Sequence, residues 1–181
     1  LDVLVNNAGA VFSSRAVSAD GYEMTLALNH LNYFLLTHLL LDQLKAAASA
    51  SGEARVVNVS SSAHNVGSIN FDDLQRENGY SGLRVYGESK LMNILFSNEL
   101  ARRLQGTGIT SNALHPGLVR TGFGMNNGAI TRFFISLFQW FAISSTRGAE
   151  TSIHLASSPQ MAGVTGQYFE NSKPKTPHRY A

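Results

Sequence analysis

There is no cysteine in this chain. That excludes disulfide frameworks and thiolate metal sites, and it fits a reducing compartment. Charge is also scarce: charged residues are 14% of the sequence and the net charge is +2. The pI of about 9.1 reflects a thin, scattered surplus with no Lys/Arg run, so nucleic acid is not an expected partner. His30, His38, His64 and His154 share no compact spacing and no carboxylate partner. They read as packing or surface residues, and no metal site is expected. No apolar run approaches the roughly 20 residues that span a bilayer. The longest, "ITRFFISLFQWFAIS" at 130–144, is interrupted by Arg132 and Gln139. No signal peptide is visible. A polar lead-in is missing too, because the sequence opens on Leu1 directly in an apolar run. The expectation is a piece of a longer domain, so an amino-terminal anchor cannot be read from it.

What is present is a globular composition: 181 residues, 44% hydrophobic, enough for one domain with a core. "LDVLVNN" reads as a buried parallel strand. Residues 22–48 read as one long helix whose Leu/Phe stripe is broad enough to be buried on most sides. "ARVVNVSSSA" is a second strand, and 64–82 is loop-like. A helix runs from Arg84 to Gln105, ended by "GTG". "ITSNALHPG" is a third strand stopped by Pro-Gly. Residues 120–129 form a Gly/Asn-rich loop, and the apolar segment 130–143 follows. "STRGAETSIHLASS" is a helix with Ser144 or Ser145 near its N-cap. "GQYFEN" is a last strand, and 172–181 a polar tail. Strands alternating with helices predict parallel β-α-β units, with helices on both faces of one sheet. No repeat or linker divides the chain.

In such sheets ligands sit beyond the carboxyl ends of the strands. The residues there are Asn6-Asn7-Ala8-Gly9, then Ser60-Ser61-Ser62, then Pro116-Gly117 and Thr121. Each group alone is ordinary turn chemistry. The helix that follows the serines carries Tyr86 and Lys90, four apart and so on one face. A packed phenol beside a snorkelling lysine is one reading. A phenol whose pKa is held down by the ammonium, so that it exchanges protons, is the other. The company of the three strand ends favours the second.

These residues resemble the short-chain dehydrogenases/reductases. Asn6-Asn7-Ala8-Gly9 is similar to the family's N-N-A-G after its fourth strand, and Tyr86-x-x-x-Lys90 to its Y-x-x-x-K, with Ser89 also in place. Ser61 corresponds to its active-site serine, with Ser60 and Ser62 as rivals, and Asn29 to its helix asparagine. Pro116-Gly117 and Thr121 follow the sixth strand as in the family. "NHLNYFLLTHLLL", "RVVNVSSSAH", "INFDDLQ", "YGESKLMNILFSNELARRL" and "HPGLVRT" are most like the retinol dehydrogenase group. Asn32 departs from that group, which usually has glycine there.

The resemblance implies a Rossmann-like, doubly wound α/β fold, of which this chain carries the part from the fourth strand onward. It implies NAD(P)-dependent interconversion of an alcohol and a carbonyl on a small lipophilic, retinol-like substrate. Tyr86 would be the acid/base and Ser61 the holder of the substrate oxygen. Lys90 would support the phenolate and the cofactor ribose, and Asn29 would place a relay water. Asn6, Ala8, Gly9, Tyr86, Lys90, Pro116, Gly117, Val119 and Thr121 would line the cofactor. The family's T-G-x-x-x-G-x-G loop has no match, so NAD versus NADP is not legible, although the resemblance favours NADP. Segment 130–143, rich in Phe133, Phe134, Phe138, Trp140 and Phe141, is expected to be a substrate lid, with a core helix or membrane-surface contact as the other readings. A cytoplasmic location is expected, with membrane association as the alternative, and a homo-oligomer is a further expectation. The competing functions are a non-catalytic dinucleotide-binding or interaction module and an inactive truncated product.

Overall fold

The computed structural model describes residues 1–119 and 143–177. Its sheet has five strands in spatial order β1-β2-β3-β4-β5: β1 (Val3–Asn6), β2 (Ala54–Val59), β3 (Ile109–His115), β4 (Tyr168–Glu170) and β5 (Lys173–Pro174). The first four run parallel, and β5 returns antiparallel along β4. The polar tail expected from 172 onward therefore begins as a short strand. A tight reversal at Asn171 and Ser172, both at positive φ, brings it back.

Alternation along the strands sends side chains to two cores. Ala54 and Val56 of β2 join Leu4, Leu104, Ile109 and the residues Leu44 and Ala48 of helix α3 (Leu41–Ser51). Val57 and Val59 join Leu114, Phe169, Met161 and Leu155 of helix α5 (Ser145–Ser157). The first core is shared with the end of helix α4 (Gly82–Arg103). Helices on both faces of a parallel sheet make the doubly wound arrangement that the alternation of elements predicts. Ser144 caps α5, its side chain accepting from the Arg147 N–H.

Two expectations change. The β1 strand is not buried on both sides: it lies at the edge of the described sheet, and Val5 is 42% exposed. The segment 22–48 is not one buried helix. Helix α1 (Met24–Leu26) passes into a π-helical turn (Ala27–Leu31), then helix α2 (Asn32–Leu39), and a break at Leu40 precedes α3. Tyr33 and Thr37, four apart, face inward, while Phe34, Leu35, Leu36 and Leu39 are exposed. A wide apolar stripe does not say how many sides have neighbours to cover it. At the junction of the π turn and α2, the amide oxygen of Asn32 is buried with no partner among the described residues.

Between sheet and helices runs a buried polar ladder. The Asn6 amide donates to the Thr37 hydroxyl at 3.0 Å and to Asn58 Oδ1 at 2.8 Å. Asn58 donates to the Ser111 hydroxyl at 3.2 Å, and Ser111 meets Ser97 at 2.9 Å. It crosses β1, β2 and β3, where a one-residue slip would turn each partner to the wrong face. The in-register pairing Asn6↔Asn58 brings the carboxyl ends of β1 and β2 side by side, next to that of β3.

Candidate active site

Ser60, Ser61 and Ser62 leave β2 together, and hydrogen bonding separates them. Ser60 is buried and spends its hydroxyl on the Lys90 carbonyl at 2.7 Å. Ser62 is exposed and opens a 3-10 turn (Ser62–Val66) that takes the end of the expected second strand and the start of the expected 64–82 loop. Ser61 lies between them: its hydroxyl accepts from the Ala63 N–H at 3.2 Å and lies close enough to the Tyr86 phenol to favour its ionised form. The rival phenol, Tyr80, is occupied elsewhere, with Thr25 at 2.9 Å and Glu23 at 3.3 Å.

Tyr86 and Lys90 lie on successive turns of α4, on the face toward the sheet ends. Lys90 is only 3% exposed, and its ammonium donates to the Val59 carbonyl at 3.1 Å. It sits 5.6 Å from the ring centres of both Tyr33 and Tyr86, within cation–π range. The expectation that Lys90 lowers the Tyr86 pKa is not met. Burial raises the Tyr86 phenol to about 12, opposed only by the Ser61 hydroxyl. Burial likewise lowers Lys90 to about 8. Desolvation penalises whichever form is charged, and here it outweighs the attraction between ammonium and phenolate.

Asn29 sits in the π turn, a local widening of the helix that is frequent at functional sites. Its side chain grips the Ala10 peptide, accepting from the N–H and donating to the carbonyl, both at 2.9 Å. It also donates to the Ser89 hydroxyl at 3.0 Å. Its backbone carbonyl accepts from Asn93 at 2.9 Å. The side chain is thus committed to shaping the 9–10 loop around Lys90. Gly9 explains the fit: a Cβ there would come within 3.1 Å of Asn29 Oδ1 and 3.3 Å of Lys90 Nζ.

The other expected cofactor residues divide. Ala8, Gly9, Pro116 and Gly117 occupy the loops leaving β1 and β3, at the same end of the sheet. Asn6 turns its side chain into the polar ladder and is 2% exposed, so only its backbone faces the crevice loop. Val119 bridges to Ile143 and packs against Gly148 of α5. Thr121 and the lid residues 130–142 lie outside the described residues. Among the described residues there is no cluster of three metal-ligating side chains, and no helix is long and apolar enough to cross a membrane.

Motif reading missed the ion pair beside this site. Glu88, two residues after Tyr86 and buried, pairs with Arg76, whose Nε donates to it at 2.9 Å, and with Arg84 at 3.5 Å. Arg76 has φ of +52° and also donates to the Ser68 carbonyl. It thus fastens the loop before α4 to the helix. Partners twelve residues apart, one of them in a loop, leave no periodic signal in the sequence.

The short chain dehydrogenase family model matches residues 1–130. The chain belongs to the short-chain dehydrogenase family. Within it, the retinol dehydrogenase group is the most similar. The chain is 48% identical over 176 residues to human retinol dehydrogenase 14, covering 96% of this chain and 51% of that protein. It therefore spans about half the length of the curated relatives it matches. Among solved structures, an uncharacterized protein from Mycobacterium paratuberculosis superposes with a TM-score of 0.74 at 32% identity, over 99% of this chain and 60% of that one. RhlG of Pseudomonas aeruginosa, solved as an NADP active-site complex, gives 0.67 at 27% identity, over 93% and 64%.

Proposed function

We propose that this chain carries the catalytic half of an NAD(P)-dependent oxidoreductase that interconverts a lipophilic alcohol and its carbonyl. One observation carries the reading: the hydroxyls of Ser61 and Tyr86 meet in one crevice, one helical turn from a buried lysine. A non-catalytic binding module has no need for a phenol aimed at a serine hydroxyl.

The residues present fit the nicotinamide-ribose end of a dinucleotide. Among the described residues Lys90 spends one of its three N–H donors, on Val59, which leaves donors for ribose hydroxyls. Gly9 keeps the wall beside Lys90 free of a side chain. The nicotinamide, when bound, supplies or accepts the hydride. Tyr86 and Ser61 both contact the substrate oxygen: Ser61 fixes its position, and Tyr86 exchanges the proton. A phenol held at about 12 stays protonated at neutral pH, which suits proton donation to a carbonyl oxygen in the reductive direction. Lys90, at about 8, is mostly cationic there, and its charge stabilises the phenolate left after transfer. Asn29 holds the loop that closes around Lys90.

Similarity to the retinol dehydrogenases favours a retinal-like substrate, with segment 130–143 as its cover, and NADP as cofactor. The test uses the natural full-length protein with all-trans-retinal and NADPH or NADH. Tyr86→Phe should remove nearly all turnover and leave dinucleotide affinity unchanged. Turnover that persists in this variant sinks the assignment.

A further inference from the structure

The Ser61 carbonyl accepts two hydrogen bonds from a single residue: the His64 backbone N–H at 3.0 Å and His64 Nδ1 at 2.6 Å. A carbonyl can only accept, so the imidazole carries a proton on Nδ1. The ring is 2% exposed and packs edge-on against Tyr168 of β4, with centroids 5.1 Å apart. The 3-10 turn is also seated directly on α4. A Cβ on Gly87 would come within 2.5 Å of the Ala63 carbonyl, and one on Gly67 within 2.6 Å of the Gly87 carbonyl. Gly87 is the residue after Tyr86. The turn that carries Ser61 is therefore held on one side by backbone contact with the helix of Tyr86, and on the other by the histidine.

We propose that His64 is a positioning residue for the reaction, fixing the Ser61 peptide so that its hydroxyl meets Tyr86 and the substrate oxygen. This rests on the reading of Ser61 given above. It assigns a role to a histidine that sequence pattern alone marks as packing. The next residue shows what could replace it: Asn65 donates its side-chain amide to the Ser62 carbonyl at 2.9 Å, the same three-residue reach. Asparagine at position 64 should thus keep the hydrogen bond and lose the ring. Phenylalanine keeps the ring on Tyr168 and loses the hydrogen bond.

The experiment compares wild type, His64→Asn, His64→Phe and Ser61→Ala in the natural full-length protein, with all-trans-retinal and NADPH. His64→Phe should lower kcat about tenfold or more, since small misplacements at a reacting centre are costly. His64→Asn should stay within about threefold of wild type, and NADPH affinity should be unchanged in both. The reverse ranking, with Phe active and Asn impaired, overturns the proposal in favour of packing. Full turnover in Ser61→Ala overturns the reading of Ser61 and the proposal with it. An inactive Ser61→Ala beside a fully active His64→Phe overturns the proposal alone. Independently of any variant, nitrogen NMR of histidine-labelled protein should show the His64 proton on Nδ1, and a proton on Nε2 alone refutes the geometry.

Discussion

Lys90→Met separates what the lysine does for chemistry from what it costs the fold. Burial holds the ammonium at about 8, below the ordinary lysine value of 10.5. Between those values the unfolded chain binds a proton that the folded chain does not. Stability due to this group therefore rises with pH through that window, and the penalty is fully present below it. The difference corresponds to about 3 kcal/mol against the folded state near neutral pH. The hydrogen bond to the Val59 carbonyl and the contacts with the Tyr33 and Tyr86 rings offset part of that. Methionine has similar length and no charge. The variant should thus be at least as stable as wild type at pH ~7, and wild type should gain about 2 kcal/mol on it between pH ~7 and ~9.5. The upper limit stays below the range where the raised tyrosines titrate and reverse the slope. Urea unfolding at a series of pH values, followed by circular dichroism, measures the difference directly. Cofactor affinity and turnover should both fall in the same variant. A wild-type minus variant difference that does not change with pH would refute the buried-cation argument, whatever happens to activity.

Asn58→Leu should destabilise by about 2–4 kcal/mol in urea unfolding, because it breaks two buried hydrogen bonds in the ladder and inserts a bulkier apolar group; a change under half a unit on that scale would show the ladder to be dispensable. Glu88→Ala leaves Arg76 without its buried partner and should cost about 3 kcal/mol, with faster proteolysis of the 68–80 loop; unchanged protease sensitivity would argue against the clamp. Gly9→Val crowds Asn29 Oδ1 and Lys90 Nζ, so NADPH affinity should drop about tenfold or more with little loss of stability, and unchanged affinity would place the nicotinamide ribose elsewhere.

Local pattern determined a good deal here. The segments at 3–6, 54–59 and 109–115 read as strands of a parallel sheet because they alternate with helical stretches, and the spacing of Tyr86 and Lys90 placed both on one face of a helix. The strand-end residues named the end of the sheet where the proposed site lies. What the tertiary structure decided depends on neighbours distant in sequence. It supplied the physical ground for preferring Ser61, which the resemblance had named, to Ser60, because the Lys90 carbonyl had already taken the Ser60 hydroxyl. It turned Asn6 inward, where Thr37 and Asn58 supply partners 31 and 52 residues away. It left Phe34, Leu35 and Leu39 exposed, since hydrophobic periodicity shows that a face is apolar and not whether anything covers it. It also overturned the expected sign of the Tyr86 shift. Sequence spacing shows that a phenol and an ammonium are close, but whether their attraction outweighs the loss of water depends on burial, and burial belongs to the fold.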